Sequence, residues 1–229
     1  MRSHLLLAAA ITLASTFATL GHAAVLTVQA TDNIYGAGQS SPPGGGTLPG
    51  SIAVTPGQSL TITSTGSISY NGGGNYNDPD GIGSASGEGI NATNGFSGIT
   101  NDHAGVLLGL FVGATLPVDN SNPPPTLTYT DATTNFASAS PLLNQVFLIG
   151  DGLTGDGTGA TQTFIVPANA TQLYFGFADA GGYYGNPSSY DDNLGSFSTT
   201  VTGTPEPASL GILAVVGLPL LAKRRRSRA

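Results

Sequence analysis

The sequence predicts an all-β fold, a β-sandwich of short strands, on three observations. Gly, Pro, Asn, Ser and Thr break every stretch from Val25 onward that is long enough for helical periodicity. Short β-branched runs recur in place of helices. Two runs alternate cleanly, Leu60-Thr61-Ile62-Thr63 and Leu173-Tyr174-Phe175-Gly176-Phe177, as half-buried strands require. Many short strands joined by Gly/Pro turns suggest two packed sheets.

In chain order the expected strands are Ala24–Ala30, Ile52–Val54, Ser59–Ser64, Ser67–Tyr70, Leu107–Val112, Leu127–Tyr129, Gln145–Ile149, Thr161–Ile165, Gln172–Ala178 and Ser196–Thr202. Only Asp102–Leu108 and Ser140–Val146 could hold a helical turn. Three polar, Gly-rich stretches, Gly36–Gly50, Asn71–Asn101 and Gly181–Asn193, read as long loops, the first as flexible. No internal repeat occurs, and residues 24–203 form one domain large enough to bury a core.

Composition excludes several function classes. The 229 residues contain 34 Gly, no Cys and no Trp, and only 8% are charged. A Cys-based zinc site, a disulfide scaffold and a thiol nucleophile are therefore ruled out. All six basic residues lie at the chain ends: Arg2, Lys223, Arg224, Arg225, Arg226 and Arg228. Residues 24–203 carry eleven Asp and Glu88 with no Lys or Arg, and His103 is their only His. Such a domain cannot bind nucleic acid by neutralising phosphates, and it lacks the lysine of a phosphate-cradling loop.

The two ends read as addresses. Arg2 and His4 precede an apolar run from Leu5 to Ala14, and small residues follow to Gly21-His22-Ala23-Ala24. This order describes a secretory signal peptide over residues 1–23. At the other end Pro205-Glu206-Pro207 is followed by fifteen uncharged residues, Ala208 to Ala222, and then by Lys223-Arg224-Arg225-Arg226. The apolar run is short for a membrane span, and the basic cluster behind it would stay in the cytoplasm. Residues 204–229 resemble the PEP-CTERM sorting signal. The resemblance implies a transmembrane helix before processing, an exosortase as processing partner and an association with exopolysaccharide. The expected course is export through the inner membrane, then a tethered, surface or extracellular location.

The acids of the core point to a cation. Asp179 closes the apolar strand Leu173–Ala178, and the following loop returns Asp191-Asp192-Asn193 just before the strand at Ser196. If those strands are adjacent, the oxygens meet at one end of the sandwich. Carboxylates held close without a counter-ion repel. A hard cation relieves this, and calcium, with six to eight oxygens in a flexible geometry, suits the set better than magnesium. The spacing is not that of an EF-hand.

The segment Val166 to Asp179, followed by Tyr190-Asp191-Asp192-Asn193-Leu194-Gly195-Ser196-Phe197-Ser198, resembles the C-terminal half of the PA-I galactophilic lectin family. Pro56–Ile62 and Gly66–Tyr70 are similar to its earlier strands. The resemblance implies a galactose-binding, jelly-roll-like β-sandwich that holds Ca2+. It places the metal ligands on Tyr70, Asp179, Ser189, Asp192 and Asn193, with Tyr70 and Ser189 giving carbonyls. It places carbohydrate contacts on Asp179, Ala180, Ser189 and Asp192. Asp80, in Asp78-Pro79-Asp80-Gly81, is a further candidate carbohydrate contact, as the nearest counterpart of the family's second sugar-binding segment. That segment carries His and Gln, which are missing here, and the loop after Asp179 is about five residues longer than in the family. Galactose preference is therefore not implied.

Catalysis finds little support. His103 follows Asp102, but no Gly-x-Ser-x-Gly elbow occurs. Asp80 and Asp179 could form a glycosidase pair only at a separation that the sequence does not set. Asp151–Gly157 reads as a solvated hairpin tip, with a second calcium site as the alternative. Tyr183, Tyr184 and Tyr190 suit either stacking on a sugar or anchoring of their loop. The expectation is a non-enzymatic, calcium-dependent carbohydrate-binding protein. The alternative is a structural envelope or biofilm-matrix protein in which calcium only stiffens the fold.

Overall fold

A computed structural model describes residues 23–82, 87–119 and 122–204. All but the last residue of the expected leader, the motif Pro205-Glu206-Pro207 and the C-terminal apolar run lie outside the described residues. Among the described residues no helix is long and apolar enough to cross a membrane.

Strands β1 (Ala24–Gln29), β2 (Gly50–Ala53) and β3 (Ser59–Ser69) open the chain. Next come β4 (Glu88–Ile90), β5 (Ile99–Asn101), β6 (Leu108–Gly113), β7 (Leu127–Tyr129), β8 (Ser138–Ala139) and β9 (Val146–Leu148). The hairpin β10 (Leu153–Gly155) and β11 (Thr158–Thr161) leads to β12 (Thr163–Ile165) and β13 (Ala170–Gly176). The last are β14 (Tyr184–Gly185) and β15 (Leu194–Thr204). One sheet has the order β1-β15-β3-β12-β8, a second β2-β13-β6-β9, and a third β14-β4-β5-β7.

The first two sheets enclose the main core. Val28, Ile62 and Phe197 project from one, and Phe111, Leu173 and Phe175 from the other. Phe111 and Phe147 stack with centroids 5.1 Å apart. Along β15, Phe197, Thr199 and Val201 are buried at every second position, so alternation sets the inner face. The inward Thr199 Oγ1 meets Ser64 Oγ at 3.0 Å, which satisfies both hydroxyls where water cannot reach.

The second sheet is covered on both faces. Leu108, Leu110 and Val112 of β6 point away from the main core into a second cluster, which includes Ile34, Ile90, Ile99 and Tyr129. The unbroken apolar run of β6 requires this, since a strand exposed on one face would alternate. The third sheet supplies the cover. Its β4 and β5 lie within Asn71–Asn101, expected as loop, because three-residue strands between glycines leave no periodic pattern to read.

Three further differences have local causes. Ser59–Ser64 and Ser67–Tyr70, expected as two strands, form one eleven-residue strand, because β15 pairs along its whole length and carries Gly66 through the ladder opposite Phe197. Ser140–Val146 makes a turn around Asn144 (φ 65°) and then β9, with Gln145 Oε1 accepting from Leu142 N at 2.9 Å. Asp102–Leu108 is not helical either; single-turn helices lie instead at Ile34–Gly36, Gly181–Tyr183 and Tyr190–Asp192.

The stretch Gly36–Gly50, expected as flexible, is tied down. Asn33 Nδ2 donates to the carbonyls of Pro43 and Gly45, and Thr47 N donates to Thr31 O at 2.8 Å. Gly44 and Gly46 have φ of 74° and 79° and pack against Pro187 and Tyr190 of the loop before β15. A methyl on Gly44 would overlap the Pro187 carbonyl. Gly72 shares the left-handed backbone (φ 67°), but a methyl there would meet open space. Gly72→Ala should therefore cost about 1 kcal/mol of backbone strain. Gly44→Ala should cost about 1–3 kcal/mol more, because the loops must also move apart. Urea midpoints of the two variants test this, and equal losses would show that the loop contact is slack.

Candidate functional site

The site is built at the end of β13. Beyond Gly176 the chain continues as a strand partner of Asp32–Ile34, with Phe177 N donating to Asp32 O at 2.8 Å and Ile34 N to Phe177 O at 3.0 Å. Two buried tyrosines fix the next residues. Tyr70 OH donates to Ala178 O at 3.0 Å. Tyr190 OH accepts from Asp179 N at 3.0 Å and donates to Phe177 O at 3.3 Å. Asp179 O accepts from Ser188 N at 2.9 Å, so the loop folds back over the strand end.

Asn193 then meets Asp179. Its Nδ2 donates to Asp179 Oδ2 at 2.9 Å and to Ala30 O at 3.2 Å. The Oδ1 of Asn193 is buried with no hydrogen-bond partner. Both residues are nearly sealed from solvent, Asp179 at 4% and Asn193 at 3% exposure. Gly72 N donates to Asp192 O at 3.0 Å, which brings the end of β3, and Tyr70 with it, to the same corner. Asp192 and Ser189 are exposed beside it, and Ser189 is left-handed (φ 69°). Asp191 turns elsewhere, accepting from Gly46 N at 3.3 Å.

Burial raises the Asp179 pKa to about 7, with the Asp192 charge adding and the donors Asn193 Nδ2 and Ala180 N opposing. Glu88 on β4 lies behind this corner and is 2% exposed. Burial holds its carboxyl well above the usual range, and Asp179 raises it further. Its Oε2 has a long contact from Gly105 N at 3.5 Å, and its Oε1 has no partner. Residues 24–203 hold no Lys or Arg that could balance either acid. A carboxylate, an unsatisfied amide oxygen and a second nearby carboxylate, Asp192, form a donor set that fits a hard cation. Asn193 Oδ1 supplies the specific test of fit, because a buried acceptor without a donor is costly unless something electropositive meets it.

Asp80 stands elsewhere. It was expected beside Asp179 in the sugar site, but its charged neighbours are Asp151, Asp78 and Asp156. The cause is the register of the second sheet. Pro79 O accepts from Leu107 N at 3.0 Å, and Asp80 Oδ1 accepts from Asp151 N at 3.0 Å, so Asp80 sits at the end of β9.

Tyr190, one of the rings considered for sugar stacking, is fully buried and anchors its loop. Tyr184 is 63% exposed. Both ring nitrogens of His103 are engaged, by Asp80 O at 3.0 Å and Asp131 Oδ1 at 2.8 Å, which leaves none for a serine nucleophile. Sequence reasoning overlooked the burial of Glu88. Its only trace was a lone Glu in a domain without Lys or Arg.

No family model matches the chain, and no curated protein does. Among solved structures the chain is similar to the EclA N-terminal domain, a PllA-like lectin, at 18% identity and a TM-score of 0.38, covering 79% of this chain and 95% of that one.

Two outcomes follow from this geometry. Tyr190→Phe removes the acceptor of the buried Asp179 N–H and should cost about 1–3 kcal/mol in urea unfolding. Asp179 binds its proton more tightly when folded than the usual pKa of 3.8. Its contribution in metal-free protein is thus fully present below about pH 4 and is lost as pH rises to about 7. Asp179→Asn should flatten that part of the stability profile in chelator, and an unchanged slope would contradict the assignment.

Proposed function

We propose that this chain is an exported, calcium-dependent carbohydrate-binding protein of lectin type. Asp179, Asp192 and Asn193 would hold Ca2+ with the carbonyls of Tyr70 and Ser189. The observation that carries this reading is the pair Asp179–Asn193: a buried carboxylate and a buried, partnerless amide oxygen in a domain without Lys or Arg. Bound calcium would supply a Lewis-acidic point that accepts sugar hydroxyls. Asp192 and Ser189, exposed at the rim, would meet the sugar together with Asp179 and the Ala180 backbone. The leader and the PEP-CTERM-like tail support export, sorting by an exosortase, and the cell's own exopolysaccharide as ligand.

A second reading keeps calcium but no sugar. The near-complete burial of Asp179 and Asn193 favours it, since an ion sealed beneath the loop would brace the sandwich of an envelope or matrix protein.

Calorimetric titration of the full chain with calcium, then a glycan array with and without calcium, separates the two. The first reading expects calcium-dependent retention of glycan, abolished in Asp179→Ala. The second expects chelation to lower the unfolding temperature while no glycan binds. At calcium 100-fold above its Kd the ion should add about 2.7 kcal/mol to stability. Because the Asp179 proton must leave, calcium affinity should fall as pH drops below about 7. A flat calcium titration at pH 8 would remove both readings.

A further inference from the structure

We infer that the outer face of the third sheet is a glycan platform centred on Tyr184. It extends the proposed sugar site to longer, neutral oligosaccharides, and so it rests on the lectin reading. Strands β4, β5 and β7 bury Glu88 and Ile90, Ile99 and Asn101, and Tyr129 on their inner face. Alternation therefore turns Gly89, Thr100 and Thr128 outward. The ladders set these three in one row with Tyr184: Tyr184 is opposite Gly89, Gly89 opposite Thr100, and Thr100 opposite Thr128. A second row runs beside it. There Asn91 Nδ2 donates to Asn186 Oδ1 at 2.9 Å, and a methyl on Gly98 would come within 3.1 Å of Thr126 Oγ1. Four strands at the usual spacing span about 14 Å, the reach of an oligosaccharide rather than of one sugar ring.

Tyr184 is placed for stacking. Its ring lies along two glycines: a methyl on Gly89 would stand 2.9 Å from its Cδ1, and one on Gly87 3.4 Å from its OH. The ring thus rests on bare backbone, and the residue is still 63% exposed. Its loop is held on both sides, by Tyr183 N donating to Ala180 O at 2.8 Å and Asn91 N to Gly185 O at 2.8 Å. A fixed ring with an open face takes the C–H face of a sugar. The neighbouring amides and hydroxyls both donate to and accept from sugar hydroxyls. The same loop carries Ala180 and Ser189, which the lectin reading places against the sugar. Exposed Gly181 lies between these contacts and Tyr184. Its N donates to Ser188 Oγ at 3.0 Å, and a methyl on it would lie 3.4 Å from Ser189 Oγ. A chain held at the calcium corner therefore reaches Tyr184 by way of Gly181. The glycan is neutral, because the domain has no Lys or Arg to meet a uronate and Asp102, exposed beside Gly87, repels one.

The test is calorimetry of the full chain at saturating calcium with neutral gluco-, manno- and galacto-oligosaccharides, from monosaccharide to pentasaccharide. Wild-type affinity should rise with chain length. Tyr184→Ala should weaken binding of the longer chains roughly tenfold, with monosaccharide affinity and calcium stoichiometry unchanged. Tyr184→Phe should bind as wild type does. Should Tyr184→Ala prove unstable in urea, the double variant Thr100→Val with Thr128→Val keeps β-branched residues in the strands and removes two hydroxyls. It should lose affinity for the same long chains. Sugar binding without a chain-length effect, or with one that Tyr184→Ala and the double variant both retain, overturns the platform and leaves the calcium reading standing. Long-chain binding that survives chelator but not Tyr184→Ala keeps the platform and removes the calcium corner. If wild type binds no sugar of the series, with or without calcium, both fall.

Discussion

Burying a carboxylate at the end of a central strand, with an amide rather than a base as its closest partner, is the constraint on which this corner of the molecule depends. Asp179 could have turned outward, as most acidic side chains do. It is instead held by main-chain bonds to Tyr190 OH and from Ser188 N, with Asn193 closing on its side chain. Each of these partners comes from the stretch between β14 and β15. The loop therefore cannot leave without exposing Tyr190 and stranding two buried polar groups. An oxygen-rich corner that is rigid before any ion arrives loses little freedom when one binds.

That rigidity reaches back into the layers. The second sheet is apolar on both faces, so it cannot form the outside of a two-layer sandwich. The small third sheet and the Ile34–Gly36 turn cover its outer face, and the same covering brings Glu88 and Tyr35 behind Asp179. The price is a set of buried polar atoms without partners, Tyr35 OH and Glu88 Oε1 among them. A domain with twelve acids and no Lys or Arg has no internal means of balancing such groups.

The acids separate into two places because their anchors do. Asp179 follows β13 into the corner shared with β3 and β15. Asp80 follows Pro79, which is bonded to the entry of β6, to the far end of β9. Sequence distance gave no hint of this. Asp80 and Asp179 look like members of one oxygen-rich rim until the ladder is known, whereas Asp78 and Asp156 look unrelated until β10 and β11 fold back.

Much of the framework was determined by the sequence alone. The alternation in Leu60–Thr63 and Leu173–Phe177 marked two sandwich strands, and the absence of helical periodicity marked the class. The sequence set Asp179 and Asn193 at the two ends of one loop, which would meet only if the flanking strands were brought together. Such features are local, written in periods of two residues and in the placement of glycines. Tertiary structure alone decided the third sheet, the continuity of β3 through Gly66, the burial of Tyr190 and Glu88, and the company that Asp80 keeps. Those depend on which strands pair and which face is left to cover, and contacts between distant segments leave no periodic trace along the chain.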